Sequence, residues 1–248
     1  MTTLSHDSDG TGRPVLLLHS TVCDRRMWDP QMVALASAGL RAVRVDLPGY
    51  GDSPVPSAPY NPADLVIETL DGIDEFAVVG SSGGGLVALE IAARWPQRVT
   101  ALALLCTAGP EMNPSAQLRA LWSEENALLE AGDVAAATEL MVDTWVGPLA
   151  DDATRAHVRV MQRHAYEVQL AAPEVEELEV PYTVEAITAP TLLISGAHDL
   201  PDFRDIAEGL TARLPAATHL PLDWAGHLPN LEDPAALNDL LLPFLTGH

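Results

Sequence analysis

Apolar residues along the chain follow two rhythms. Short strand-like stretches occur at 14–19 (PVLLLH), 41–46 (RAVRVD), 76–79 (FAVV), 99–107 (VTALALLCT), 190–196 (PTLLISG) and 218–222, of which 76–79 and 99–107 read as covered on both faces. Between them lie segments with helical spacing: 31–38, closed by Gly39; 62–70; a helix running on from Leu86 to Trp95-Pro96; 203–214; and 233–245. Strand and helix alternate, which predicts right-handed crossovers. The expected fold class is therefore α/β, a mostly parallel sheet of about six or seven strands flanked by helices on both faces. Residues 1–13 are polar and contain glycine, as expected of a loose start or one short edge strand.

The alternation lapses once. From about Gly109 to Ile187 three segments, 114–131, 133–146 and 152–171, carry helical periodicity rich in Ala, Leu and Glu, punctuated by Gly132-Asp133 and Gly147-Pro148. The expected organisation is a core of residues 1–109 and 188–248 interrupted by a helical cap over 110–187.

Composition narrows the class of partner. A 248-residue chain with 48% hydrophobic and 19% charged residues can bury a sizeable core and is not a disordered chain. Its net charge of -22 lacks the basic face that nucleic acids and anionic membranes require, so neither is an expected partner. No apolar stretch approaches the roughly 18 residues needed to span a bilayer. The first 14 residues have neither the positive nor the apolar region of a signal peptide. Two cysteines, Cys23 and Cys106, read as free thiols in a reducing compartment, which places the protein in the cytoplasm.

Chemistry enters where the run at 76–79 passes into a helix through Gly80-Ser81-Ser82-Gly83-Gly84, a G-x-S-x-G match. A strand that turns into a helix with almost no loop forces the turn residue into a sparsely allowed conformation, and small neighbours two positions either side avoid the clashes. This register lifts Ser82 above the sheet; Ser81 would need a different glycine spacing. A serine hydroxyl needs a base to become a nucleophile, and the base needs a carboxylate to fix its tautomer. Asp199 follows the run at 190–196 by three residues, and His227 follows Leu222 by five. All three fall where a parallel sheet collects function, beyond the carboxyl ends of its strands.

Each has a structural alternative: a flexible Ser/Gly turn, a helix-capping Asp and a surface His. Asp202 and Asp205 are near enough to compete with Asp199. His198 adjoins the acid and should point away from it, while His6 and His248 are terminal. His157 and His164, seven apart on one helix face, would suit a metal only with further ligands, and the sequence offers none beside them.

With these residues in place the chain resembles the α/β-hydrolase superfamily over essentially its whole length. Besides the serine turn and the order Ser, Asp, His, the stretches His19-Ser20-Thr21, 46–53 (DLPGYGDS) and Gly226-His227 fit that family. RRMWDPQ (25–31) and AGHLPNLEDP (225–234) are similar to the branch of esterases and lactonases around 3-oxoadipate enol-lactonase. The resemblance implies an α/β-hydrolase fold with the cap inserted after the sixth family strand, and an oxyanion hole made by the backbone N–H groups of Thr21 and Gly83. Two departures stand out: Ser20 where most relatives carry Gly, and a short N-terminus that removes one or two edge strands from the usual eight.

The implied function is a serine hydrolase that cleaves a small carboxylic ester or lactone through an acyl-enzyme, with Ser82, His227 and Asp199 as its triad and no metal or organic cofactor. Its partners are that substrate and water. A serine in place of a carboxylate nucleophile argues against epoxide or haloalkane hydrolysis. Leu228, where carbon–carbon bond hydrolases often carry Trp, argues against that reaction. Acyl transfer or perhydrolysis would use the same acyl-enzyme, and a non-catalytic ligand-binding protein is the alternative from another class. Trp122, Met141, Trp145 and Met161 are candidates for an acyl pocket or for the core of the cap.

Overall fold

The computed structural model describes residues 3–110 and 112–248; the first two residues of the expected loose start, and Glu111 just inside the expected cap boundary, lie outside that range. Seven strands, β1 (His6–Asp9), β2 (Pro14–Leu18), β3 (Arg41–Val45), β4 (Phe76–Ser81), β5 (Val99–Leu105), β6 (Thr191–Gly196) and β7 (Ala217–Leu222), form one sheet in the order β1-β3-β2-β4-β5-β6-β7. Every neighbouring pair is parallel except β1 with β3. The polar start of the chain thus supplies a short antiparallel edge strand, while β4 lies at the centre and is buried along its whole length.

Helices α1 (Asp29–Ser37), α2 (Pro62–Thr69), α3 (Gly83–Arg94), α4 (Ala116–Glu130), α5 (Val134–Trp145), α6 (Asp152–Leu170), α7 (Pro201–Arg213), α8 (Pro229–Glu232) and α9 (Pro234–Gly247) complete the architecture. Because side chains alternate across a pleated strand, the inner strands feed two cores, while the polar edge strand β1 feeds neither. Val15, Leu17, Val79, Leu105 and Ile194 pack on one face with α1 and α9; Leu16, Leu18, Val78, Leu102 and Leu193 pack on the other with α2, α3 and most of the buried face of α7. Truncating a fully buried leucine such as Leu102 to Ala should cost about 2–5 kcal/mol.

The three consecutive helices α4, α5 and α6 lie in the chain between β5 and β6. Each starts on a side chain that satisfies an otherwise orphaned amide: Ser115 accepts from Leu118 N–H at 3.1 Å, Asp133 from Ala136 at 3.0 Å and Asp151 from Thr154 at 2.8 Å. Their buried residues, Leu118, Met141, Val142, Val158 and Met161 among them, join the same core as Leu17 and Val79. The insertion therefore shares its apolar interior with one face of the sheet.

Candidate active site at the carboxyl edge of the sheet

Ser82 joins β4 to α3 with φ 52° and ψ -119°, a left-handed backbone that costs a non-glycine residue about 1–3 kcal/mol. Hydrogen bonds over-determine it: its N–H donates to Leu105 O at 3.0 Å, and its carbonyl accepts from Gly85 N at 2.9 Å and Ala108 N at 3.0 Å. The flanking glycines are required by close approach. A Cβ on Gly80 would stand 2.6 Å from Gly84 O, and one on Gly84 would stand 2.4 Å from His19 O and 2.5 Å from Leu18 O. Ser82 is 6% exposed and lines a cavity, whereas Ser81 is fully buried with its hydroxyl unbonded.

Asp199 and His227 meet although 28 residues separate them. Nδ1 of the imidazole lies 2.8 Å from Asp199 Oδ2, with both side chains buried. Asp199 Oδ1 accepts from Leu200 N–H at 2.7 Å, so the carboxylate is held from two sides. Since Oδ2 accepts, Nδ1 carries the proton, leaving Nε2 as the basic nitrogen. The ring sits between Trp145 of α5 and Phe203 of α7, with centroids 4.4 Å from each. Its loop is gripped by Glu232 of α8, whose Oε2 accepts from Gly226 N at 2.8 Å and Oε1 from Leu228 N at 3.0 Å, one amide on either side of His227. Burial pushes the Glu232 carboxyl above its ordinary range, against the amides of Gly226, Leu228 and Gly147 that favour its charge.

Other candidates fall elsewhere. Asp202 accepts from the Ser115 amide at 2.6 Å, and Asp205 shares a groove with it outside the cavity. His198 is exposed, and His164 Nε2 donates to Gly51 O at 3.0 Å. Among the described residues one group of three potential metal ligands comes together, Cys106, Asp199 and His227, within 4.8 Å of one another. Asp199 and His227 are bonded to each other. Burial, then the Asp199 charge, pushes the Cys106 thiol well above its ordinary range, and its S–H donates to Gly226 O at 3.4 Å. The donor set suits a neutral thiol beside a hydrogen-bonded Asp–His pair better than a metal. Cys23 is also free and buried.

Beside Ser82 the loop after β2 is pinned by His19. Its Nδ1–H donates to Ser20 O and its Nε2 accepts from Leu47 N–H, both at 2.9 Å, which requires the neutral ring; burial lowers its pKa accordingly. Ser20 avoids left-handed backbone, so the departure from Gly is accommodated without strain. Thr21 and Gly83 lie so close that a Cβ on Gly83 would come within 2.5 Å of Thr21 Cγ2. Among the described residues neither the Thr21 nor the Gly83 amide donates a hydrogen bond.

Thr21, Ser82, Gly83 and His227 line a cavity of about 260 Å³, walled on the insertion side by residues of α4, α5 and α6, including Trp122, Met141 and Trp145. That volume suits a small ligand. Met161 is buried in the core and lies outside the lining. Phe203 and the polar wall residues Glu125, Gln162 and Tyr166 carry no motif; the stretch DLPGYGDS contains Tyr50 and the tail AGHLPNLEDP contains Glu232, but neither marks their contacts.

A seven-stranded sheet with a left-handed serine between its central strand and α3, and an Asp–His pair at the same edge, defines the α/β-hydrolase class of protein. Residues 15–240 match the model of the alpha/beta hydrolase family, and the chain belongs to that family. It is similar to a hydrolase from Pseudomonas aeruginosa PA01, with 30% identity, 98% of this chain and 94% of that one covered, and a TM-score of 0.79. A Variovorax paradoxus protein provisionally named carbamate hydrolase RutD is 28% identical, over 94% of this chain and 92% of its own length. The enol-lactonase from Burkholderia xenovorans LB400 shares the fold, with a TM-score of 0.77 at 24% identity, covering 98% of this chain and 96% of that one. Among the described residues no helix is long and apolar enough to cross a membrane.

Proposed function

We propose that the chain is a serine hydrolase of small carboxylic esters or lactones. The observation that carries this reading is the bonded Asp199–His227 pair lining, through His227, the same cavity as the left-handed Ser82. Ser82 Oγ attacks the acyl carbon as its proton passes to His227 Nε2, and Asp199 stabilises the imidazolium. The carbonyl oxygen, now an alkoxide, takes hydrogen bonds from the Thr21 and Gly83 amides; losing one such donor typically costs about 10² to 10³ in rate. Collapse of the tetrahedral intermediate breaks the bond to the leaving alkoxide, which takes the proton from His227. Water then attacks the acyl-enzyme under the same base, releasing the acid and restoring Ser82.

In this reading α4 to α6 act as a cap over 110–187 that closes the cavity from the side opposite the sheet edge, and no metal or organic cofactor takes part. Free, buried Cys23 and Cys106 are in keeping with a cytoplasmic setting. A panel of acyl esters graded by chain length, five- and six-membered lactones, and a carbamate ester prompted by the RutD relative tests it. Turnover of esters or lactones that disappears in Ser82→Ala is the expected result. Turnover of the carbamate alone would move the reaction class, and turnover of none would remove the hydrolase reading.

A further inference from the structure

The cap places fixed polar chemistry in the wall of the reaction cavity. Glu125 of α4 accepts from the Tyr166 hydroxyl of α6 at 2.5 Å. One turn before Tyr166, Gln162 is 3% exposed, and its Oε1 is buried with no hydrogen-bond partner among the described residues. A buried acceptor without a donor marks a place where a ligand can supply one.

The complementary charge is missing from this wall. The protein has no lysine and 13 arginines, and among the described residues no arginine lines the cavity. The protein as a whole carries a net charge of -22, which raises the local concentration of cations and lowers that of anions. A 3-oxoadipate enol-lactone keeps one free carboxylate once the other has closed the ring. Here that carboxylate would meet Glu125 with no arginine in the lining to balance it.

Resting on the hydrolase reading, we infer that the substrate is an ester or lactone whose remote end donates hydrogen bonds, as a neutral amide or a cation, and which carries no carboxylate. Glu125 and Gln162 read that end, the first through charge and the second through its unfilled acceptor. The cap thereby sets this chain apart from enzymes that select acidic lactones.

The test uses phenyl esters whose equal-length acyl chains end in a carboxamide, an amidinium, an isopropyl or a carboxylate group, four ends of nearly the same shape. A second series carries the same ends on the alcohol of an acetate. In at least one series kcat/KM should rank the amidinium and carboxamide above isopropyl and the carboxylate last, with amidinium over carboxylate by about 10² or more, as like-charge juxtaposition costs several kcal/mol. Glu125→Gln, which keeps an acceptor for Tyr166, should shrink that ratio about tenfold, and Gln162→Leu should erase the preference for carboxamide over isopropyl. A merely structural role would scale all four substrates together and leave the ratios fixed. Turnover of the carboxylate ester as fast as the others, or unchanged ratios in both variants, overturns the inference while the hydrolase reading stands; no Ser82-dependent turnover of any ester in either series overturns both.

Discussion

Replacing Glu232 with glutamine probes how the imidazole is held. In the folded chain its two oxygens are divided between the Gly226 and Leu228 amides, at 2.8 and 3.0 Å, so the backbone is fixed immediately before and after His227. Glutamine keeps one acceptor oxygen and turns an amide donor toward the second N–H, which is then buried without a partner. That costs about 1–3 kcal/mol, and for a domain of this size each kcal/mol lowers the melting temperature by roughly 2–4 °C. The expected shift is therefore about 2–12 °C downward, and roughly twice that for Glu232→Ala, which orphans both amides. The Asp199 bond remains, yet the ring rides on a loop that can now move. A displacement of about 1 Å can cost on the order of 10² in rate, so kcat should fall by a larger factor than KM rises. Thermal denaturation followed by circular dichroism, with steady-state kinetics on a turned-over ester, measures both. A glutamine variant with the parent's melting temperature and kcat would refute the view that Glu232 positions His227.

Asp199→Asn should keep the fold, since the side chain can still accept from Leu200, but lower kcat by about 10³ to 10⁴ because the tautomer of His227 is no longer fixed; single-turnover kinetics will show it. Gly84→Ala should destabilise the chain by about 1–3 kcal/mol or more, since its Cβ would collide with the His19 and Leu18 carbonyls; chemical denaturation measures the loss. His19 has its pKa lowered from 6.5 by burial, so the unfolded chain takes up a proton at a higher pH than the folded one. Its contribution to stability is full above about pH 6.5 and is lost progressively as the pH falls through its lowered folded value. Denaturation midpoints measured from pH 7.5 to 5 should therefore fall less steeply in His19→Gln than in the parent, and parallel slopes would count against the neutral, doubly bonded ring.

Much of this architecture is written in local pattern. Stretches such as 101–105 (ALALL) are apolar at every position because β5 is covered on both faces there, and Asp133 after Gly132 announces the start of α5 through its side-chain cap. The meeting of Asp199 and His227 follows from topology, since β6 and β7 are adjacent parallel strands whose carboxyl ends, Gly196 and Leu222, are paired in register. Where strands stop is less legible. The apolar run continues to Thr107, but β5 ends at Leu105 because Cys106 turns to φ 43°, and nothing in its side chain advertises that backbone. The roles of Phe203, Glu232 and Gln162 are set by packing between segments distant in sequence, and no periodicity records such a contact. Glu125 and Tyr166, 41 residues apart on different helices, make the same point.

The account depends on Ser82 being the activated nucleophile, and covalent capture tests this most directly. The intact protein is treated with a fluorophosphonate, digested, and its peptides are mapped by mass spectrometry. The account predicts a single adduct on Ser82, absent from Ser82→Ala and strongly slowed in His227→Ala. Labelling that persists in Ser82→Ala, or a native protein that takes up no label while hydrolysing esters, would contradict it.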